Sequence, residues 1–326
     1  MLYDKWDRKH DYLRISLTDS CNFRCLYCMP NENMSFMPQR HLMQKDEVVA
    51  IAKTFIELGV TKIRLTGGEP LVRKDAAMII QELAQLPVEL TLTTNGVLVD
   101  QFIEVFKQSG IKSLNVSLDT LSAEKFLQLT KRDVFDKVWN NINLLLEHQF
   151  SVKLNVVVMN GINDDELISF IELTKNLPLH VRFIEFMPFD KNQWNAEKVV
   201  SFDTMLQQIS SEFDVVKLKD KRHDTAKKFK VIGYSGTFAF ITTMSQPFCS
   251  DCNRMRLTAD GKMKNCLFGK DELDILKALR INEPIEPIIR ESLLLKQKAL
   301  GGQLSEDFTR LKPELLENRS MIKIGG

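Results

Sequence analysis

Six strand patterns alternate with helix patterns between Tyr12 and Phe186, and this rhythm restricts the possible folds more than any other feature of the chain. The candidate strands are Tyr12 to Thr18, Thr61 to Thr66, Glu89 to Thr94, Ser113 to Leu118, Ser151 to Met159 and His180 to Phe186. Helical periodicity fills the intervals at Lys45 to Leu58, Lys74 to Leu86, Asp100 to Ser109, Val134 to His148 and Asp165 to Asn176. Parallel strands need crossover connections and right-handed helical crossovers supply them, so units in series predict a parallel sheet.

Parallel strands covered on both faces read as near-continuous apolar runs. Here Leu13, Ile15 and Leu17 alternate with Arg14, Ser16 and Thr18, and Ile63 and Leu65 with Lys62, Arg64 and Thr66. The same alternation runs through Leu90 to Thr93, Leu114 to Leu118 and Lys153 to Val156. The helices must cover the apolar face, which leaves the polar face lining the inside of the curve. An eight-stranded barrel fills its interior with apolar layers. The expected fold is therefore α/β, an incomplete (β/α)6 TIM-type barrel of parallel strands whose splayed lumen is a ligand site. The alternative, an antiparallel sheet with one wet face, would give the helices little to cover.

After about Trp194 the rhythm changes to short strand-like runs at Asp214 to Leu218, Lys228 to Ile232, Phe238 to Thr242, Arg254 to Thr258 and Lys262 to Leu267. Helices then run from Asp271 to about Leu300. The expectation is a partial barrel over 1–194 and a C-terminal extension over 195–326 that covers the open side. The stretch from Leu273 to Arg319 shows helices and no chemistry. The closing Ile324-Gly325-Gly326 reads as too flexible to form an element.

The 44 Lys and Arg nearly balance the 43 Asp and Glu, so no net basic field argues for nucleic acid or a membrane surface. The N-terminus is charged, and no run approaches the roughly 18 apolar residues of a spanning helix. A cytoplasmic protein is expected. In that reducing setting the six cysteines are better read as metal ligands than as a disulfide framework.

Cys21, Cys25 and Cys28 form a C-x3-C-x2-C set directly after the first strand, where reactive groups of a barrel converge. Three thiolates on a four-iron cubane leave one iron open to a small molecule. The competing structural zinc site usually has four ligands, and no fourth Cys or His follows at zinc spacing. Gly67-Gly68-Glu69-Pro70 ends the second strand, where glycines would let backbone approach a ligand; by itself it is equally an ordinary tight turn. Cys249, Cys252 and Cys266 make a C-x2-C-x13-C set that suits zinc and a cluster equally well when read alone.

The first cysteine set, with Tyr27 before its last member, resembles the signature of the radical S-adenosylmethionine superfamily. The segments Phe248 to Gly261 and Cys266, Thr66 to Pro70, Thr93 to Gly96, Asn115 to Asp119, Asn155 to Val157, Arg182 to Pro188 and the final Gly325-Gly326 closely resemble the GTP 3′,8-cyclase family of molybdenum cofactor biosynthesis, over nearly the whole chain. That resemblance implies two 4Fe-4S clusters, at Cys21, Cys25 and Cys28 and at Cys249, Cys252 and Cys266. S-adenosylmethionine would bind the first open iron, with contacts at Tyr27, Gly68, Ser117 and Met187. The second would meet the guanine of GTP. The cofactor-derived radical takes hydrogen from C3′, and the carbon radical closes on C8 to give (8S)-3′,8-cyclo-7,8-dihydroguanosine 5′-triphosphate.

By motif position the family's GTP contacts fall on Arg14, Arg64, Thr93, Lys153, Arg254, Met255 and Arg256. Catalytic roles fall on Arg14, Arg254, Arg256, Gly325 and Gly326. The resemblance further implies an external low-potential electron donor, a downstream cyclic pyranopterin monophosphate synthase and a homodimer. Ser20 stands where the family often has Arg, away from any ligand position. A triphosphate needs cationic, hydrogen-bonding partners, and the polar strand faces offer Arg14, Lys62, Arg64, Lys153 and Arg182, with Arg254 and Arg256 from the extension. Two rivals are a peptide-modifying radical enzyme with an auxiliary cluster, which usually has more cysteines, and a non-catalytic electron carrier or zinc protein, which gives no reason for a basic lumen.

Overall fold

The computed structural model describes residues 1–29, 35–305 and 307–325. All six expected strands form: β1 Tyr12–Ser16, β2 Lys62–Thr66, β3 Glu89–Thr94, β4 Ser113–Ser117, β5 Ser151–Val158 and β6 His180–Glu185. Between them run α1 Lys45–Glu57, α2 Ala76–Leu83, α3 Ile103–Gln108, α4 Ala123–Thr130, α5 Phe135–Glu147 and α6 Leu167–Asn176. The short α4 escaped the periodicity. It is capped by the Ser122 hydroxyl, which accepts from Lys125 N, and it ends at Lys131 in the left-handed region, φ 56°.

The alternation did divide the faces. Leu13, Ile15, Ile63, Leu65, Leu92, Leu114, Val116, Leu154, Val181 and Phe183 are buried in the core under the helices. Arg14, Thr66, Thr93, Asn115, Ser117, Asn155 and Arg182 line a cavity on the other face. Burial of one aliphatic face against the helix layer drives this arrangement.

Beyond Trp194 come α7 Phe202–Glu212, β7 Val215–Lys217, β8 Lys227–Val231, β9 Thr237–Ile241, β10 Arg254–Leu257, β11 Lys262–Lys264, β12 Leu273–Asp274, α8 Ile275–Arg280, α9 Glu286–Leu294 and α10 Met321–Ile324. The helix α7 was not expected, and the strand expected over Lys262 to Leu267 stops at Lys264. The sheet order is β12-β11-β10-β1-β2-β3-β4-β5-β6-β9-β8-β7. The extension covers the open side by pairing with both edges: β10 runs parallel to β1, and β9 parallel to β6. Six expected parallel strands thus become eight neighbours, yet the sheet turns outward into antiparallel β11 and β8 instead of closing.

Glu185 ties the barrel to the extension at the end of β6. Its carboxylate is fully buried and accepts from Phe202 N at 3.0 Å, Met244 N at 2.7 Å and Ser245 N at 2.9 Å. The C-terminus also departs from expectation, since Met321–Ile324 is a helical turn with Ile322 and Ile324 buried. No helix among the described residues is long and apolar enough to cross a membrane.

Ile15 sits between Leu65 and Leu257 in the parallel register, with no exposure. Ile15→Ala should cost about 2–5 kcal/mol, read as a lower urea midpoint at unchanged slope. Met78→Ala, at a side chain 52% exposed, should stay within about 0.5 kcal/mol.

Candidate active site

The cavity, of about 250 Å³, lies at the C-terminal ends of the parallel strands, where barrel folds gather reactive groups. Cys21, Cys25 and Cys28 line it from the loop after β1. A second cavity contains Cys249, Cys252 and Cys266 and shares Thr243, Phe248, Arg254, Arg256 and Leu267 with the first. The two cysteine sets therefore flank one continuous lumen, with Arg254 and Arg256 in the wall between them.

The first cysteine loop is braced by backbone. Arg24 N and Leu26 N donate to Thr130 O and Leu129 O at the end of α4, at 2.9 and 3.0 Å. Gly68 N donates to Thr18 O at 2.7 Å and Glu69 N to Ser20 O at 2.9 Å. A Cβ on Gly68 would stand 2.5 Å from Ser20 O and 2.7 Å from Asp19 O, and one on Gly67 would stand 2.7 Å from Thr18 O. What these glycines admit is the backbone leading into the cysteines. Glu69 itself accepts from Leu71 N, Thr94 Oγ1 and Asn95 N at 3.1, 2.8 and 2.6 Å, which joins the ends of β2 and β3. Burial pushes its carboxyl up to about 7 despite these bonds.

Tyr27, Gly68, Ser117 and Met187 all line the lumen near the first set. The Tyr27 hydroxyl donates to Asp119 Oδ2 at 2.7 Å, and Asp119 Oδ1 accepts from Val157 N at 2.8 Å. Burial raises Asp119 to about 6 against those two bonds. Sequence reasoning quoted Asp119 in a motif but gave it no role; a carboxylate directly after a strand of alternating pattern was the available signal.

The cations form rows set by strand register. Arg14 is opposite Arg256 on one side and Arg64 on the other, and Lys153 is opposite Asn115 and His180. Arg14, Arg182, Arg254 and Arg256 reach the cavity. On β2 the lining position is Thr66 and on β5 they are Asn155 and Val157, so Arg64 and Lys153 stand one layer deeper. Arg64 donates from Nε to the Tyr12 hydroxyl and from Nη1 to Thr93 Oγ1 at 3.4 Å. Lys62, expected in the lumen, instead pairs with Glu89 at 2.6 Å at the far end of β2. Met255 is corrected too: alternation along β10 turns its side chain into the core with no exposure, while Arg254 and Arg256 face inward.

This cluster carries an electrostatic cost. Desolvation lowers Arg14, helped by repulsion from Arg64 and Arg254; it lowers Arg182 to about 9, with Arg64 and Arg14 contributing, and Lys153 to about 8, with Arg182, Arg64 and Lys62 contributing. Arg256 is lowered further by burial, Arg14 and Arg254. For Tyr12 burial acts upward, but Arg64, Arg14, the Arg64 hydrogen bond and Lys62 outweigh it and bring the phenol down to about 7. Arg14 Nε, Arg182 Nε and Asn115 Oδ1 are buried without a hydrogen-bond partner. Orphaned donors beside an unneutralised positive lumen fit an anionic ligand rich in acceptors.

The thiols fit a metal centre by their chemistry. Burial, with Glu69 adding, pushes Cys21 up to about 11, and burial pushes Cys25 and Cys28 higher still, with other cysteines of the set adding to the burden there. Coordination by a cationic centre deprotonates such thiols outright. In the second set burial raises Cys249, whereas at Cys252 burial is overcome by Arg254 and Lys296, which bring the thiol to about 6. Among the described residues no three His, Cys, Asp or Glu side chains converge as ligands of a single ion; a cubane takes each thiolate at a separate iron. The stretch Leu273 to Arg319, expected to be without chemistry, contributes Lys296 beside Cys252 and Leu300 N donating to Cys249 Sγ at 3.3 Å. Gly325 is buried against two lumen-lining residues: its carbonyl accepts from Arg256 Nη1 at 2.5 Å, and at φ 87° a Cβ there would meet Thr66 Oγ1 at 2.7 Å. Gly326 lies outside the described residues.

Comparison with known proteins agrees with this geometry. Residues 15–174 match the Radical SAM superfamily and residues 179–301 match Molybdenum Cofactor Synthesis C. The chain is 44% identical to the mitochondrial GTP 3′,8-cyclase of Arabidopsis thaliana, covering 100% of this chain and 84% of that protein. It is 38% identical to the GTP 3′,8-cyclase of Petrotoga mobilis, over 100% of both chains. Against molybdenum cofactor biosynthesis protein 1 of Bos taurus the identity is 42% over 99% of this chain and 51% of that protein, so the chain spans about half of that longer relative. Streptococcus suis SuiB bound to S-adenosylmethionine shares the fold, with a TM-score of 0.57 at 14% identity over 87% of this chain and 68% of that one.

Gly68→Ala should lower the thermal midpoint and disturb the Thr18 to Ser20 backbone, because overpacking against fixed backbone costs about 1–3 kcal/mol; an unchanged melt would contradict the close approach. Tyr12 supplies a pH test. Its phenol titrates near 7 in the folded protein and near 10 unfolded, so between those values the unfolded state holds more protons and stability rises with pH. That gain is fully present above about pH 10 and lost as pH falls through 7. Urea unfolding of the apo protein at pH 6.5 and 9 should show it, and Tyr12→Phe should remove it; parallel profiles for the two proteins would refute it.

Proposed function

The chain belongs to the GTP 3′,8-cyclase family within the radical S-adenosylmethionine superfamily, and we propose that it converts GTP to (8S)-3′,8-cyclo-7,8-dihydroguanosine 5′-triphosphate, an early step of molybdenum cofactor biosynthesis. It is an enzyme of the type that uses a 4Fe-4S cluster and S-adenosylmethionine. A second cluster and the residue roles below belong to the proposal. The observation that carries it is a lumen with cysteine sets on both sides and six buried or half-buried cations, Arg14, Arg64, Lys153, Arg182, Arg254 and Arg256, that have no acidic partner among the described residues.

Cys21, Cys25 and Cys28 hold the first cluster, and Cys249, Cys252 and Cys266 the second. When bound at Cys21, Cys25 and Cys28, the first cluster would supply the electron that cleaves S-adenosylmethionine, the source of the radical that would take hydrogen from C3′. Tyr27, Gly68, Ser117 and Met187 orient that cofactor, and the Tyr27–Asp119 hydrogen bond holds the ring in place. The triphosphate neutralises Arg14, Arg64 and Lys153, and the unpartnered Nε groups of Arg14 and Arg182 donate to it. Thr93 adds its hydroxyl. Arg254 and Arg256 bridge the phosphates and the second cysteine set, and Gly325 keeps Arg256 turned inward through its carbonyl. Met321 and Ile322 help to exclude water, which protects a reactive carbon centre from side reactions. In this reading 1–194 serves the cofactor and 195–326 the nucleotide base, an external low-potential donor supplies the electron, a cyclic pyranopterin monophosphate synthase takes the product, and the enzyme is a homodimer.

The test is anaerobic. Protein reconstituted with iron and sulfide is given S-adenosylmethionine and a strong reductant, and 5′-deoxyadenosine is measured with and without GTP. Release should depend on GTP and match a cyclised nucleotide; Cys266→Ser should abolish turnover, and Arg256→Ala should weaken GTP binding while the first cluster still forms. Release that ignores GTP would move the search to another substrate.

A further inference from the structure

Two cations touch Cys252, and they are held very differently. Arg254 Nη2 stands 3.3 Å from the sulfur, but Arg254 is half-buried and lines both cavities. Lys296 Nζ stands 3.6 Å from the same sulfur, is 2% exposed and lines neither. Among the described residues its ammonium has one other polar contact, the Arg254 carbonyl at 3.0 Å. An ammonium buried without an anion is strongly disfavoured, and the Cys252 sulfur is the group within reach that can carry negative charge beside it.

The segment carrying Lys296 is anchored from the other end of the chain. Trp6 Nε1 donates to Lys296 O at 3.0 Å. Arg8 donates from Nη1 to Lys298 O and Cys249 O, both at 2.7 Å, and from Nη2 to Gln297 O at 2.9 Å. Asp4 in turn holds Arg8 Nε at 2.7 Å and meets His10 Nε2 at 3.0 Å, with its own side chain fully buried. One buried acid–guanidinium pair thus fixes both the Cys249 backbone and the lysine strap.

We infer that Lys296 is the permanent counter-cation of the Cys249, Cys252 and Cys266 centre, and that Asp4 and Arg8 are the positioning residues that keep it there. This rests on the second-cluster reading. A fixed positive charge near a thiolate-ligated centre favours its more reduced state and so raises its potential. It also leaves Arg254 free to turn towards a polyanion while Lys296 stays beside Cys252.

The experiment uses the full chain with Cys21, Cys25 and Cys28 replaced by Ser, so that only the C-terminal set can take iron. This protein is reconstituted, assayed for iron, sulfide and zinc, and titrated redox-wise under electron paramagnetic resonance. About four irons per chain are expected. Lys296→Met, which keeps the stem and removes the charge, should shift the midpoint potential to more negative values or lose the iron. Lys296→Arg should restore whichever property is lost, and Arg8→Lys should reproduce the Lys296→Met shift in weaker form. An unchanged potential at full iron content in Lys296→Met overturns the inference, as does equal iron loss in the Met and Arg variants, which would indicate shape and not charge. A parent protein that takes zinc and no sulfide overturns the second-cluster reading itself, and the inference with it.

Discussion

Everything in this molecule depends on pairing β1 in parallel with both β2 and β10, because that register puts Arg256, Arg14 and Arg64 side by side on one face of the sheet. Clustered buried cations repel and are poorly solvated, a combination that costs several kcal/mol where no anion compensates. The arrangement survives because the opposite face of the same strands is aliphatic and fully buried at Leu13, Ile15, Ile63, Leu65, Met255 and Leu257. A one-residue slip would exchange the two faces, exposing the core and driving arginines under the helices. The hydrophobic layer thereby holds the site in a state that a polyanion relieves.

The extension is what turns a basic sheet into a reaction chamber. By adding β10 to one edge and β9 to the other, it carries a second cysteine set and two more arginines to the mouth of a barrel that already holds the first set. Glu185 locks the junction on the β9 side through three backbone donors. On the β10 side the N-terminal residues Asp4, Trp6 and Arg8 do so through carbonyls of the 296–298 segment and Cys249. Both locks are buried hydrogen-bonded charges, whose loss leaves a partner unsatisfied.

Much of the fold and of the candidate site was legible in the residues themselves. The six strands, five of the six helices between them and the division of faces followed from period-two and 3.6-residue patterns, since those periods report directly which side of an element is buried. The cysteine spacings picked out the two sets that line the cavities, and Arg14, Arg182, Arg254 and Arg256 were assigned to the lumen from alternation. Lys62 and Met255 were misplaced for local reasons: Lys62 finds Glu89 on the next strand, and Met255 lies between two inward arginines on a strand that must alternate.

Other features have no sequence-local cause. Whether β9 and β10 join the sheet parallel or antiparallel depends on where edges are left open once six strands have assembled. The burial of Gly325 depends on Ser16, Thr66 and Arg256 being brought together from three strands. Lys296 follows a helix with no motif of its own, and only tertiary contacts, 44 residues away in sequence at Cys252 and 290 at Trp6, set it in place. The sequence by itself determined which residue types face inward and which thiols stand together, because both are encoded at short range. The tertiary structure alone decided which charges meet without partners, because burial and repulsion are properties of the assembled whole.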